Sequence, residues 1–110
     1  MDNPDGVKNL FFELDKMEFN HLHCVYGTSA DKDINEIMEL FPSKASYYLT
    51  TFDSERSCST KDLEILAKKN KLNFLKYSNP ELALSAAKQC SKEDDLIIVF
   101  GSFFLLEKII

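Results

Sequence analysis

Val7, Leu10, Phe11, Leu14 and Met17 recur at the i, i+3, i+4, i+7 spacing that lines one face of a helix, with Pro4 and Gly6 marking its start. Residues 21–26 form a short apolar-rich stretch between Asn20 and Gly27, which predicts a strand. Ile34, Ile37, Met38 and Phe41 restore the helical spacing; Asp33 and Glu36 predict a capping box, and Pro42 stops the helix. Residues 45–52, rich in aromatic and β-branched side chains, predict a second strand. Ser59 and Asp62 open a helix carrying Leu63, Leu66 and Ala67, and residues 72–77 form a weaker third strand. Asn79 followed by Pro80 is a strong helix start, and Leu82, Ala83, Ala86, Ala87 and Cys90 then line a face of mostly small residues. Residues 96–100 are an unbroken apolar run, expected to be a strand buried on both faces. Gly101 and Ser102 turn into a last apolar segment, 103–110, expected to be helical.

Regular alternation of helix and strand with short connections predicts one α/β domain over 1–110, an open, mostly parallel sheet with helices on both faces. Ligands of such sheets bind beyond the carboxyl ends of the strands, which directs attention to the loops at 27–33, 50–60, 77–80 and 101–103. The chain opens on a helix, so a first strand is expected upstream, in the interior of the sheet. Without it, neighbouring strands would either close the gap or be covered by a second chain, and a homodimer is the expected outcome.

Composition narrows the function classes. Hydrophobic residues make up 45% of the 110 and charged residues 28%, as in ordinary globular domains, and nine Phe with four Tyr supply large apolar surface. A net charge of −5 argues against nucleic-acid binding, which needs a basic stripe. Cys24, Cys58 and Cys90 form no C-x-x-C pair, and no run approaches the ~18 apolar residues of a membrane helix, so a cytoplasmic domain with free thiols is expected. Cys24 and Cys90 are expected to be buried.

Four places could carry chemistry. Gly27-Thr28-Ser29-Ala30-Asp31-Lys32-Asp33 joins a strand end to a helix start, where amides and Lys32 suit a carboxylate or phosphate, although capping by Asp31 or Asp33, the commoner case, explains the segment more simply. Gly101-Ser102 repeats the arrangement after the most apolar strand, and Asn3-Pro4-Asp5-Gly6 opens the first helix. Arg56, beside Glu55 in a loop beyond a strand, either touches an anion or forms a surface pair. His21 and His23 share a strand face, but no pattern offers the further ligand a metal needs, and no metal is expected. There is no G-x-x-x-x-G-K-[ST] and no G-x-S-x-G, so any phosphate loop lies elsewhere.

Three segments together resemble the Mur ligase superfamily, and within it the folylpolyglutamate/dihydrofolate synthases. Asn3-Pro4-Asp5-Gly6 resembles the tail of the family's Asp-x-Ala-His-Asn-Pro, residues 26–34 its Asp-Lys-Asp segment, and 95–104 its Asp-Leu-hydrophobic-x-Gly-Ser segment. The resemblance implies a Rossmann-like carboxy-terminal domain of an ATP- and Mg²⁺-dependent enzyme that ligates L-glutamate to folate or dihydropteroate through an acyl phosphate. It implies that Lys32 and Ser102 help hold glutamate, that Asn3 lies at the ATP edge, and that the partner is an amino-terminal P-loop domain; Arg56, a candidate from its loop position alone, is expected at the same edge. Met1-Asp2 stands where the family has Ala-His, and the P-loop domain is absent, so the chain alone is expected to be inactive and to hold no cofactor. The alternatives are the last domain of a peptidoglycan Mur ligase and a stand-alone α/β binding module.

Overall fold

The computed structural model describes residues 3–102, along which eight elements alternate. α1 spans Pro4–Leu14, β1 Leu22–Gly27, α2 Ile34–Met38 and β2 Ser46–Thr50. α3 spans Thr60–Lys69, β3 Asn73–Tyr77, α4 Pro80–Cys90 and β4 Leu96–Gly101. The expected helix at 103–110 lies outside the described residues, as do Met1 and Asp2. β2 is shorter than its apolar pattern because Thr51 and Phe52 turn aside: the Thr51 hydroxyl and the Phe52 N–H both bond Ser57 Oγ, at 2.5 and 3.1 Å.

The helix starts follow from their caps. Asn3, Asp33, Ser59 and Asn79 each accept the N–H three residues on, satisfying a donor the first turn would otherwise orphan. Three side chains fall off the expected stripes. Met17 lies past the end of α1 and is exposed, and Leu82 and Cys90 face solvent from α4. The expectation that Cys90 is buried is therefore corrected, since only Ala83 and Ala87 of the small-residue face, with Pro80 at its start, reach the interior. Phe41 also lies beyond its helix, on a following turn, yet it is buried.

The sheet is parallel at every pairing and its order is β3-β2-β1-β4. β1 and β4 pair directly at six positions, from Leu22↔Leu96 to Gly27↔Gly101, so the expected interior gap is absent. β4 is consequently an edge among the described residues, and its first four residues are half-buried rather than enclosed on both faces as expected. Alternation along β1 sorts the core. Leu22, Cys24 and Tyr26 pack with α1, α2 and α3 on one face, while Val25 packs with Ala83 and Ala87 of α4 on the other. On the first face Phe41 gathers four rings, stacked on Tyr47 at 5.1 Å and edge-on to Tyr26, Phe100 and Phe11 at 5.0, 5.4 and 5.8 Å.

Candidate functional site

The strand order sets the place. The chain steps from β1 outward to β2 and β3, then crosses the other face through α4 to put β4 on the far side of β1. Connections therefore diverge between β1 and β4, and the crevice beyond their carboxyl ends is where open sheets of this kind bind ligands. The two ends there are Gly27 and Gly101, paired in register. They approach so closely that a Cβ on Gly101, whose φ is +130°, would lie 1.8 Å from the Gly27 carbonyl oxygen. That oxygen accepts the Ser102 N–H at 3.1 Å.

Three loops are knitted together above this seam. Ser102 Oγ accepts the Ser29 N–H at 2.7 Å, lies 3.0 Å from Ser29 Oγ and donates to Thr28 Oγ1 at 3.3 Å. The Ala30 N–H donates to Arg56 O at 2.7 Å and the Cys58 N–H to Thr28 O at 2.8 Å, so residues 28–30 run antiparallel beside 56–58. The Lys32 N–H reaches Ser29 O at 3.3 Å. Lys32, Arg56 and Ser102, widely separated in sequence, thus belong to one corner, with Lys32 half-buried, Arg56 exposed and Ser102 buried. The Ser102 hydroxyl is turned inward. Asn3 spends its side-chain oxygen on the Gly6 N–H at 2.8 Å as the cap of α1. The Glu36 carboxyl is pushed above its usual range by its hydrogen bond to Asp33, then by the Asp33 charge, with Asp5 of α1 adding to the same field.

Sequence reasoning named Thr28 and Ser29 only as part of a candidate segment, without a role for their hydroxyls, and missed Ser57. A clustering of Ser and Thr just past strand ends was the available signal, since short hydroxyl side chains satisfy backbone groups where ladders stop. Nor did sequence reasoning foresee the partners of the two histidines, which share a face as expected, their rings 4.9 Å apart. His23 Nε2 bonds Asp95 Oδ2 at 2.8 Å and its Nδ1 bonds Tyr48 Oη at 2.8 Å, while His21 Nε2 bonds Ser46 Oγ at 2.8 Å. This cluster sits at the amino ends of the strands, opposite the corner. Among the described residues, no three His, Cys, Asp or Glu side chains converge as metal ligands, and no helix is long and apolar enough to cross a membrane.

Residues 2–103 match the profile of the family described as Mur ligase, glutamate ligase domain. The chain belongs to that family. Among curated relatives, this Mur ligase domain is 30% identical over 112 residues to a probable bifunctional folylpolyglutamate synthase/dihydropteroate synthase of Haloferax volcanii, a match covering 94% of the chain and 12% of that protein. It is 32% identical over 89 residues to a dihydrofolate synthase/folylpolyglutamate synthase of Buchnera aphidicola, covering 79% of the chain and 21% of that protein. Among solved structures, it superposes on FolC of E. coli in complex with DHPP and ADP with a TM-score of 0.86 at 22% identity, covering 99% of the chain and 26% of FolC. A bifunctional folylpolyglutamate synthase/dihydrofolate synthase of Yersinia pestis, complexed with AMPPNP and Mn ion, gives 0.87 at 24% identity, with the same coverage. The Mur ligase domain thus spans between 12% and 26% of the length of these proteins.

Proposed function

We propose that this domain is the carboxy-terminal part of an ATP-dependent folate:L-glutamate ligase of the folylpolyglutamate/dihydrofolate synthase type, where it helps bind glutamate and closes over the nucleotide. The observation that carries the reading is the corner at the β1–β4 switch point, where Lys32 stands on a loop fixed to the ends of two strands. A cation carried on a fixed loop suits the carboxylates of an amino acid, because a charge-assisted bond gains when its donor is held in place beforehand. Residues 28–33 and 101–102 also fall within two of the three segments through which the chain resembles the family.

The chemistry assigned to the whole enzyme is amide formation. A folate or dihydropteroate carboxylate is activated as an acyl phosphate at the expense of ATP, and the glutamate amine displaces phosphate through a tetrahedral intermediate. ATP and Mg²⁺ would supply that activation. The residues here fit only the rim of a nucleotide site, since Asn3 is committed to its cap and no phosphate loop is present. Asn3 and Arg56 are assigned to that rim, and the phosphates to an amino-terminal P-loop domain. Lys32 would hold glutamate so that its amine faces the acyl carbon. The setting is the cytoplasm, where Cys24, Cys58 and Cys90 stay reduced.

The test is kinetic. In a ligase carrying this domain, Lys32→Ala is expected to raise the KM for glutamate by about ten- to a hundredfold, the loss of one charge-assisted bond, and to leave the KM for ATP nearly unchanged. Equal effects on both substrates, or ligation by the 110-residue chain alone, would refute the reading.

A further inference from the structure

We propose that Ser102 is a positioning residue, whose hydroxyl sets the 28–32 loop from inside the fold and does not itself touch the substrate. The consequence for glutamate rests on the function proposed above; the geometry does not. A serine hydroxyl has one proton to give and two lone pairs with which to accept. Ser102 gives its proton to Thr28 Oγ1 and accepts the Ser29 N–H, which leaves the 3.0 Å contact with Ser29 Oγ to be made by the proton of Ser29. The full capacity of the oxygen is then spent on its own chain. The residue is 2% exposed, and Thr28 and Ser29 are buried with it. A carboxylate reaching this hydroxyl would have to displace one of those bonds, and releasing the Ser29 N–H would orphan a buried donor.

What the hydroxyl does is transmit position. It fixes Ser29, whose carbonyl accepts the Lys32 N–H, and the next residue, Ala30, is bonded to Arg56 O. Its own base is rigid, because Gly101 stands against Gly27 with no room for a Cβ and the Ser102 N–H is held by Gly27 O. The backbone from which Lys32 projects is therefore set by the tip of β4.

Nuclear magnetic resonance of the ligand-free 110-residue chain separates this from direct contact. Ser102→Ala is expected to shift the amide resonances of Ser29, Ala30 and Lys32 and to speed exchange of the Ser29 N–H by about tenfold or more. Ser102→Thr, which keeps the oxygen, should restore them. If Ser102→Ala does not fold, Ser29→Ala removes only the hydroxyl contact and should still shift the Lys32 amide. In a ligase carrying the domain, Ser102→Ala should raise the glutamate KM, yet add little to Lys32→Ala, since both losses pass through one loop. A Ser29 amide unmoved by Ser102→Ala, or losses from Ser102 and Lys32 that simply add, would overturn the proposal. Should Lys32→Ala leave the glutamate KM unchanged, the ligase reading fails, and the Ser29 amide still decides the role of Ser102.

Discussion

Asp95 shows how much one side chain just ahead of a strand can organise. Its Oδ2 meets His23 Nε2 and the Lys92 N–H, and its Oδ1 the His21 N–H, with the His23 and Asp95 side chains each 4% exposed. The hydrogen bond from His23, and after it that from the Lys92 N–H, holds the carboxyl below its usual range against the opposing effect of burial. A carboxylate lowered in this way adds stability above its ordinary pKa, and that stability is lost as pH falls through the lower, folded-state value. Asp95→Asn is therefore expected to be less stable than the parent at neutral pH, with the difference shrinking below pH ~4. Urea unfolding at stepped pH checks this, and a difference independent of pH would discount the His23 pair. Phe41 calls for a different measurement. Removing a ring packed against four others opens a cavity, so Phe41→Ala should cost about 3–5 kcal/mol in the same assay. Neither role was legible in the sequence. His23 and Asp95 are 72 residues apart, and a helical spacing that includes Phe41 cannot reveal that the residue acts beyond its helix. Lys32, Arg56 and Ser102 could be read as loop candidates, because turn residues past strand ends announce themselves locally. Which of their atoms are already occupied is decided by neighbours distant in sequence.

At the scale of elements, periodicity and caps carried most of the fold. All eight elements follow from local pattern, because a helical stripe or an apolar strand must bury the same face wherever it packs. Asn79 is the clearest cap, its side chain accepting the Leu82 N–H at 2.8 Å ahead of Pro80. Asn79→Ala should destabilise the domain by ~1 kcal/mol, with Asn79→Asp close to the parent, as chemical denaturation would show. β4 is where local pattern misled. Five consecutive apolar residues indicate what a strand can bury, while its place in the sheet depends on strand order, which periodicity does not encode. The other edge strand, β3, carries Lys76, bonded to Glu64 at 2.9 Å, and such a charge protects an edge from unwanted pairing; β4 carries none.

For the whole molecule, handedness locates what would cover that edge. The connections through α2 and α3 cross one face of the sheet as the chain moves away from β4, and α1 lies on that same face. A strand leading into α1 by the usual right-handed crossover must therefore lie on the β4 side of β1. β4 already occupies the place beside β1, so a strand that led into α1 would lie beyond β4. A chain extended upstream through it is expected to be more stable and to protect the amides of β4 from exchange. The 110-residue chain is expected to associate as its concentration rises, as light scattering would show. Unchanged β4 exchange in the extended chain would defeat the topological argument. The β1–β4 seam also dictates an order of events in time. β1 meets β2 through contacts about 25 residues apart, such as His23 with Tyr48, whereas the seam joins Ser29 to Ser102 across 73. Closing a longer loop costs more entropy, so β1, β2 and β3 can assemble while β4 is still free. Until β4 arrives, Phe100 is missing from the aromatic cluster, Asp95 from His23 and Ser102 from the corner. The 28–32 loop is therefore expected to take its final position last, and a chain interrupted before β4 would leave it unset.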